Sequence, residues 1–176
     1  LGRDAWAAHC WQQALACGKP LLVDGDALWW LAQQPLRRDD WLLTPHPGEA
    51  ATLLGWPLAE VEADRPAAVR ALQQRYGGVV VLKGAGTLIA DEQQLWLSPW
   101  ALPVLASAGM GDLLAGIVAA YWAQGLAAVD AACRGVILHA DAASRAAAGD
   151  ERGLLARDLL PWVRKLSNDR GLLPAE

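Results

Sequence analysis

Apolar residues fall along this chain in short buried runs and longer amphipathic ones, and most runs end at a glycine, a proline or a carboxylate. Asp4 stands before a helical pattern over Ala5 to Ala16, as a cap, and Gly18 stops it. Pro20-Leu21-Leu22-Val23 reads as a short, fully buried strand that delivers Asp24-Gly25-Asp26, followed by a helical turn or two through Trp29-Trp30-Leu31. Trp41-Leu42-Leu43 is a second such strand, ending at Thr44-Pro45-His46-Pro47-Gly48-Glu49, and Ala50 to Leu54 predicts a short helix closed by Gly55. Asp64 and Pro66 occupy cap and first-turn positions of a helix that runs to about Tyr76. Val79 to Leu82 is a β-branched buried strand, Lys83 to Thr87 turns it into Leu88-Ile89-Ala90, and Leu95-Trp96-Leu97 returns as a hairpin around Asp91-Glu92. Three helices are predicted beyond, from Gly109 to about Gln124, from Ala127 to Ala148 and from Leu155 to Leu166. On the second of these, Asp141 and Arg145 lie four apart, the spacing of a supporting ion pair. Strand and helix alternate almost throughout, so the expected class is α/β, a mostly parallel sheet flanked by helices.

Length and charge narrow this picture. The 176 residues suit a single domain, 1–176, and are too few for two of ordinary size. A hydrophobic fraction of 54% with 19% charged residues describes a folded chain rather than a disordered one. Net charge is −4, and the densest basic pair, Arg37-Arg38, is answered at once by Asp39-Asp40, which argues against a nucleic-acid partner. The longest apolar helix pattern, Leu113 to Ala123, falls short of the roughly 20 residues a membrane span requires, so no membrane partner is expected. Cys10, Cys17 and Cys133 are odd in number and lack metal-ligand spacing, the usage of free thiols in a reducing compartment. Leu1-Gly2-Arg3-Asp4 already reads as the interior of a domain, and with no leader pattern the expected location is cytoplasmic.

Four polar or glycine-rich groups sit at predicted strand ends or helix starts: Asp24 to Asp26, Thr44 to Glu49, Lys83 to Thr87, and Gly109 to Asp112. In α/β sheets ligands gather beyond the carboxyl ends of the strands, so the economical reading is one composite site. At Gly109-Met110-Gly111-Asp112 the glycines allow backbone N–H groups to approach a phosphate, forming an anion hole, and the helix dipole favours the negative charge. Asp112 is either a charge that stabilises the first turn or a base placed beside the bound phosphates. Lys83-Gly84-Ala85-Gly86-Thr87 supplies a point charge, flexible backbone and a hydroxyl to a second phosphate contact, unless it is an ordinary tight turn with a solvated lysine. Two prolines restrict the backbone around His46, which is read either as a ligand contact or as a solvent-facing hydrogen-bonding residue. Asp24 and Asp26 could share a cation, meet a substrate hydroxyl, or cap the next helix. His9 and His139 fall inside helices and are read as structural.

Taken together, the runs Thr44 to Glu49, Val81 to Thr87, Gly109 to Ile117 and Val23 to Leu28 resemble, in order and spacing, the ADP- or ATP-dependent NAD(P)H-hydrate dehydratases of the ribokinase-like superfamily. The resemblance covers nearly the whole chain, and Thr-Pro-His-Pro-Gly-Glu makes it specific. It implies a ribokinase-like nucleotide-binding domain, in its carboxyl-terminal portion, that uses ADP or ATP to dehydrate hydrated NADH and NADPH. Lys83, Gly84, Ala85, Gly86, Thr87 and Gly111 would then bind the adenine nucleotide, and His46, Asp26 and Asp112 the hydrated dinucleotide. Asp112 would be the base that frees the C6 hydroxyl to attack the terminal phosphoryl group, after which phosphate is eliminated. Mg2+ is the implied cofactor, with no protein ligands assigned, and a homo-oligomer is the implied assembly.

The chain departs from the family pattern at three places. Ala101-Leu102-Pro103-Val104 stands where Gly-Asn-Pro-Gly is usual, which removes a polar group near the expected site; Trp29 replaces an Asn; and Leu1-Gly2 resembles the end of a Gly-Pro-Gly-Leu-Gly segment. The last of these predicts that an upstream part of the domain, or an epimerase domain of the kind that often precedes it, belongs with this chain. Two other functions fit the same motifs. One is a vitamin-precursor kinase of the same superfamily, which would stop at the phosphate ester. The other is a truncated domain that binds nucleotide without turnover.

Overall fold

The computed structural model describes residues 1–150 and 152–168, which divide into two compact units, one from Leu1 to Leu97 and the other from Ser98 onward.

The first unit holds five strands and five helices in the order α1 (Ala5–Ala16), β1 (Leu21–Val23), α2 (Asp26–Gln33), β2 (Trp41–Leu43), α3 (Pro47–Leu54), α4 (Leu58–Ala63), α5 (Arg65–Tyr76), β3 (Val79–Leu82), β4 (Leu88–Ala90) and β5 (Leu95–Leu97). The strands lie side by side in chain order, β1-β2-β3-β4-β5. β1, β2 and β3 run parallel, with Leu22 opposite Leu42 and Leu43 opposite Val80, while β4 and β5 extend the sheet as an antiparallel hairpin. Alternate strand residues share a face. Val23, Trp41, Leu43, Val80, Leu82, Leu88 and Ala90 accordingly pack with Trp11, Leu31, Leu53, Val61 and Leu72 from all five helices into one core cluster. β1 is less buried than its apolar run predicts, because it is an edge strand with one flank unpaired, and Leu21 and Leu22 stay partly exposed.

Local chemistry sets the helix starts as the residue types suggest. The Asp4 carboxylate accepts from the Ala7 amide at 2.8 Å, and Asp64 does the same for Ala67 at 2.9 Å. α4 has no counterpart in the sequence reading: its six residues follow Pro57 and carry too short an apolar pattern to register, yet Val61 is fully buried. The buried Trp41 indole donates to the Tyr76 carbonyl at 3.0 Å, and the Tyr76 hydroxyl to the Leu53 carbonyl at 2.7 Å, so these large side chains enter the core with their polar atoms satisfied.

In the second unit a 3₁₀ turn (Pro103–Ala106) leads to α6 (Met110–Ala123), α7 (Ala128–Ala147) and α8 (Ala156–Ser167). Val104, Met110, Ile117, Leu138, Ala142, Leu159 and Leu166 form its core, with Leu102 packed against them. The Ala101 to Val104 departure thus has a structural use at two of its three altered positions, since Leu102 and Val104 fill apolar volume while Ala101 is exposed. Asp141 and Arg145 form the ion pair their spacing predicts, at 2.8 Å.

His139 on α7 is 5% exposed, and its Nε2 finds no hydrogen-bond partner among the described residues. Burial therefore favours the neutral ring and pushes its pKa down to about 4 from an ordinary 6.5. Between those values the unfolded chain binds a proton that the folded chain refuses, so His139 makes stability fall as pH drops from about 6.5 to 4, by up to roughly 1.4 kcal/mol per pH unit. Above 6.5 it has no such effect. Denaturant melts at intervals across this window should show a shallower acid slope for His139→Met than for the unaltered chain.

Candidate active site

Because β1, β2 and β3 run parallel, their carboxyl ends reach one edge of the sheet, and three of the four candidate groups follow directly from them. The Lys83 amide donates to the Pro45 carbonyl at 2.8 Å, and the Thr44 amide to the Val23 carbonyl at 3.1 Å, so the loops are tied together beyond the last ladder positions.

The central contact is ionic. Lys83 Nζ lies 2.8 Å from Asp24 Oδ1 and 3.8 Å from Glu49 Oε2, and all three side chains are less than 20% exposed. Lys83 is therefore neither a solvated turn lysine nor an unpaired charge. It neutralises two carboxylates from two other segments. Asp24 and Asp26, adjacent to the same glycine, part company here: Asp24 goes to Lys83, while Asp26 accepts from the Gly2 amide at 2.9 Å and from Arg3 Nε at 3.2 Å. The Gly2 amide, foremost, and then Arg3 hold the Asp26 carboxyl below the usual carboxylate range, against a partial desolvation penalty. These separate partners give the two carboxylates no shared cation geometry.

His46 has a structural duty that its loop position did not announce. It is the N-cap of α3: Nδ1 accepts from the Gly48 and Glu49 amides at 3.0 and 3.2 Å, and Glu49 Oε2 accepts in return from the His46 amide at 2.7 Å. A ring nitrogen that accepts two amides carries no proton, so the hydrogen of the neutral imidazole is on Nε2, in a ring whose side chain is 56% exposed. His46 and Asp26 line one concavity of about 360 Å³, together with Arg3, Trp29, Glu49 and Thr52. Two of the three expected substrate contacts thus line one pocket, and Asp112 is not among its lining residues. Trp29, the departure from the family pattern, lines it too.

The glycine-rich loop is held from behind by Arg65, the first residue of α5. Its guanidinium donates to the carbonyls of Leu82, Lys83 and Ala85, and desolvation lowers its pKa. Gly84 has φ 142°, and a Cβ there would come within 2.9 Å of Arg65 Nη2, so no larger residue fits without displacing this clamp. Thr87 Oγ1 donates to the Gly84 carbonyl at 3.3 Å. The amides of Gly84, Ala85 and Gly86 have no protein acceptor among the described residues. Nothing in the sequence marks Arg65 for this task, because its partners are backbone carbonyls about 20 positions away.

In the second unit, Gly109 caps α6 in the left-handed conformation, at φ 82°, and offers no side chain to the first turn. Met110 turns its side chain into the core, whereas Asp112 is exposed in the first turn. At the start of α6 the Met110 amide donates to the Ser107 carbonyl at 3.3 Å, while the Gly111 and Asp112 amides have no protein acceptor among the described residues.

Among solved structures, a ribokinase-like superfamily protein of Enterococcus faecalis V583 matches 94% of this chain and 60% of its own, with 26% identity and a TM-score of 0.80. The ADP/ATP-dependent NAD(P)H-hydrate dehydratase of Bacillus subtilis, co-crystallised with ATP and Mg2+ and soaked with CoA, matches 84% of this chain and 55% of its own, with 27% identity and a TM-score of 0.75. The fold is ribokinase-like. More narrowly, the chain belongs to the carbohydrate-kinase family described as NAD(P)H-hydrate dehydratase, whose model matches residues 1–164 and so runs through both units. The bifunctional NAD(P)H-hydrate repair enzyme Nnr of Coxiella burnetii is 49% identical over 170 residues, which are 96% of this chain and 35% of the relative. The chain spans about a third of the length of the first curated relatives it matches.

Lys83→Ala should lower thermal stability, because Asp24 then loses its counter-ion in a largely buried setting. A loss of about 1–3 kcal/mol is expected. The double variant Lys83→Ala/Asp24→Ala should lose less than the two single changes summed, as melting of all three proteins will show.

Proposed function

We propose that this chain is the nucleotide-dependent dehydratase part of an NAD(P)H-hydrate repair enzyme. The observation that carries the reading is the start of α6, where Asp112 stands exposed after a left-handed glycine cap, within a chain whose family model bears that description. Like α2, α4 and α7, α6 has no side-chain cap, and with Gly109 as its cap residue its Gly111 and Asp112 amides are left for an anion. Because one family model covers both units, we read them as parts of a single nucleotide-binding domain.

In this reading the amides of Gly84, Ala85 and Gly86, with Thr87 and Gly111, bind ADP or ATP, the nucleotides named for the Bacillus relative. Lys83 fixes the entry of the loop through Asp24 and Glu49, and its charge serves the nucleotide from that position. Of the expected anion-hole residues Gly109, Met110 and Gly111, the two glycines offer the backbone amides, since the Met110 amide donates to the Ser107 carbonyl. His46 contacts the hydrated dinucleotide as an Nε2–H donor, since Nδ1 is committed to the α3 cap. Asp112 takes the proton of the C6 hydroxyl, whose oxygen attacks the terminal phosphoryl group and releases the shortened nucleotide. Loss of phosphate from C6 together with a proton from C5 then forms the C5–C6 double bond and restores the dihydronicotinamide. Among the described residues no group of three His, Cys, Asp or Glu could hold a metal. Mg2+ is accordingly proposed to arrive on the nucleotide phosphates, where it neutralises charge. We read the working protein as a cytoplasmic homo-oligomer completed by an epimerase domain or upstream segment; the Coxiella relative, named as bifunctional and matched over 35% of its length, supports the additional part alone. No helix among the described residues is long and apolar enough to cross a membrane.

Asp112→Asn in the full-length protein tests the chemistry. The amide preserves shape, so nucleotide affinity should hold while turnover of hydrated NADH, followed as recovered reduced-nicotinamide absorbance, falls roughly 10²–10⁴-fold. If Asp112 only complements the helix dipole, turnover survives and about 0.3–1 kcal/mol of stability is lost instead. A stable phosphate ester as product would assign the chain to the superfamily kinases. Nucleotide binding without any turnover in the unaltered protein would make it a binding domain.

A further inference from the structure

We propose that Arg3 is the anion-binding residue of the pocket beside His46, that Asp26 positions it, and that the pocket thereby receives a phosphate group of a pyridine dinucleotide. The inference rests on the reading of this pocket as the substrate site and assigns its polar contacts differently.

Asp26 is poorly placed to meet a substrate hydroxyl. Both of its oxygens already accept, Oδ2 from the Gly2 amide and Oδ1 from Arg3 Nε. Arg3 is in the opposite situation. Only Nε is engaged, and its two terminal nitrogens have no acceptor among the described residues. These nitrogens form a planar fork of N–H groups, the arrangement that pairs bidentately with phosphate.

An arginine that is 58% exposed would ordinarily be mobile, but a closed circuit of contacts restrains this one. Its guanidinium lies over the Trp29 ring, 4.9 Å from the centroid. Trp29 stands edge to face against Trp30, also at 4.9 Å. Trp30 Nε1 donates to the Gly2 carbonyl at 3.1 Å, and the Gly2 amide returns to Asp26. Restraint before binding spares the ligand the cost of ordering a long side chain. The inventory of free donors points the same way. Arg3 is the one Lys or Arg lining the pocket, and its two carboxylates already have partners, Asp26 with Gly2 and Arg3, Glu49 with His46 and Lys83. A phosphate entering there meets an available cation and two satisfied anions.

Phosphate is common to the dinucleotide and the adenine nucleotide, and calorimetry on the full-length protein separates them. With NADPH and with inorganic pyrophosphate as probes, Arg3→Leu should weaken binding about tenfold or more, while ATP affinity stays within about twofold. Arg3→Lys should recover part of the loss and guards against a folding defect. Asp26→Asn should weaken NADPH as well, and adding it to Arg3→Leu should cost nothing further, the coupling expected of a positioning residue and absent from a merely structural one. Unchanged NADPH and pyrophosphate affinity in a folded Arg3→Leu protein overturns the proposal. So does a loss confined to ATP, or an unaltered protein that binds neither probe. NADPH binding that depends on Arg3 in a protein without turnover leaves this inference standing and removes the dehydratase reading.

Discussion

The contact on which the first unit depends is the ion pair between Lys83 and Asp24, with Glu49 as the more distant partner. It joins the end of β1, the end of β3 and the first turn of α3, which lie far apart in the chain. None of the three groups is fully buried, so none pays the whole desolvation cost of an interior ion. Around it the other loop contacts fall into place. Glu49 is held by Lys83 on one side and by the His46 amide on the other, and the same cap directs Nδ1 of His46 inward to backbone amides. The orientation and tautomer of a solvent-facing histidine thus depend on a lysine 37 positions later.

One consequence is a division of labour among residues that sequence motifs present as equals. Within Lys83 to Thr87, the lysine side chain is occupied by carboxylates and the Thr87 hydroxyl by the Gly84 carbonyl, while the glycine amides remain open. Within Asp24 to Asp26, both carboxylates serve other protein groups. Side chains attend to structure, and the loop's glycine amides are left without a protein acceptor among the described residues. Arg65 completes the pattern by taking the carbonyls of the same loop.

How much of this is legible in the sequence depends on the range of the interaction. Strands with β-branched or fully apolar runs, such as Val79 to Leu82, and helices with a carboxylate cap, such as α1 and α5, declare themselves within a few residues, and the structure follows them closely. The start of α3 was read three residues late, because the cap is a histidine and the first helical residue a proline, a pair that resembles a loop. α4 was invisible for its brevity, and the 3₁₀ turn at Pro103–Ala106 for its lack of period. At the candidate site, three of the motifs follow the ends of parallel strands in the first unit, where the sequence pattern puts them, and Asp26 and His46 line one pocket. Arg3 and Arg65 escaped notice, since an arginine bound to a stacked ring or to remote carbonyls has no signature along the chain.

The order of the strands carries a consequence for how the chain comes into being. Each strand in the sheet lies beside the one made just before it, from β1 through β5. No strand has to be inserted later between two already paired, and the closing hairpin spans only a few residues. A nascent chain emerging from the ribosome can therefore lengthen its sheet from one edge, each addition closing a modest loop onto structure already present. On the growing side the exposed flank belongs to the newest strand, and the next one synthesised covers it, which limits the time an apolar edge such as Leu42 or Val80 is open to other chains, while the outer flank of β1 is not covered in this way.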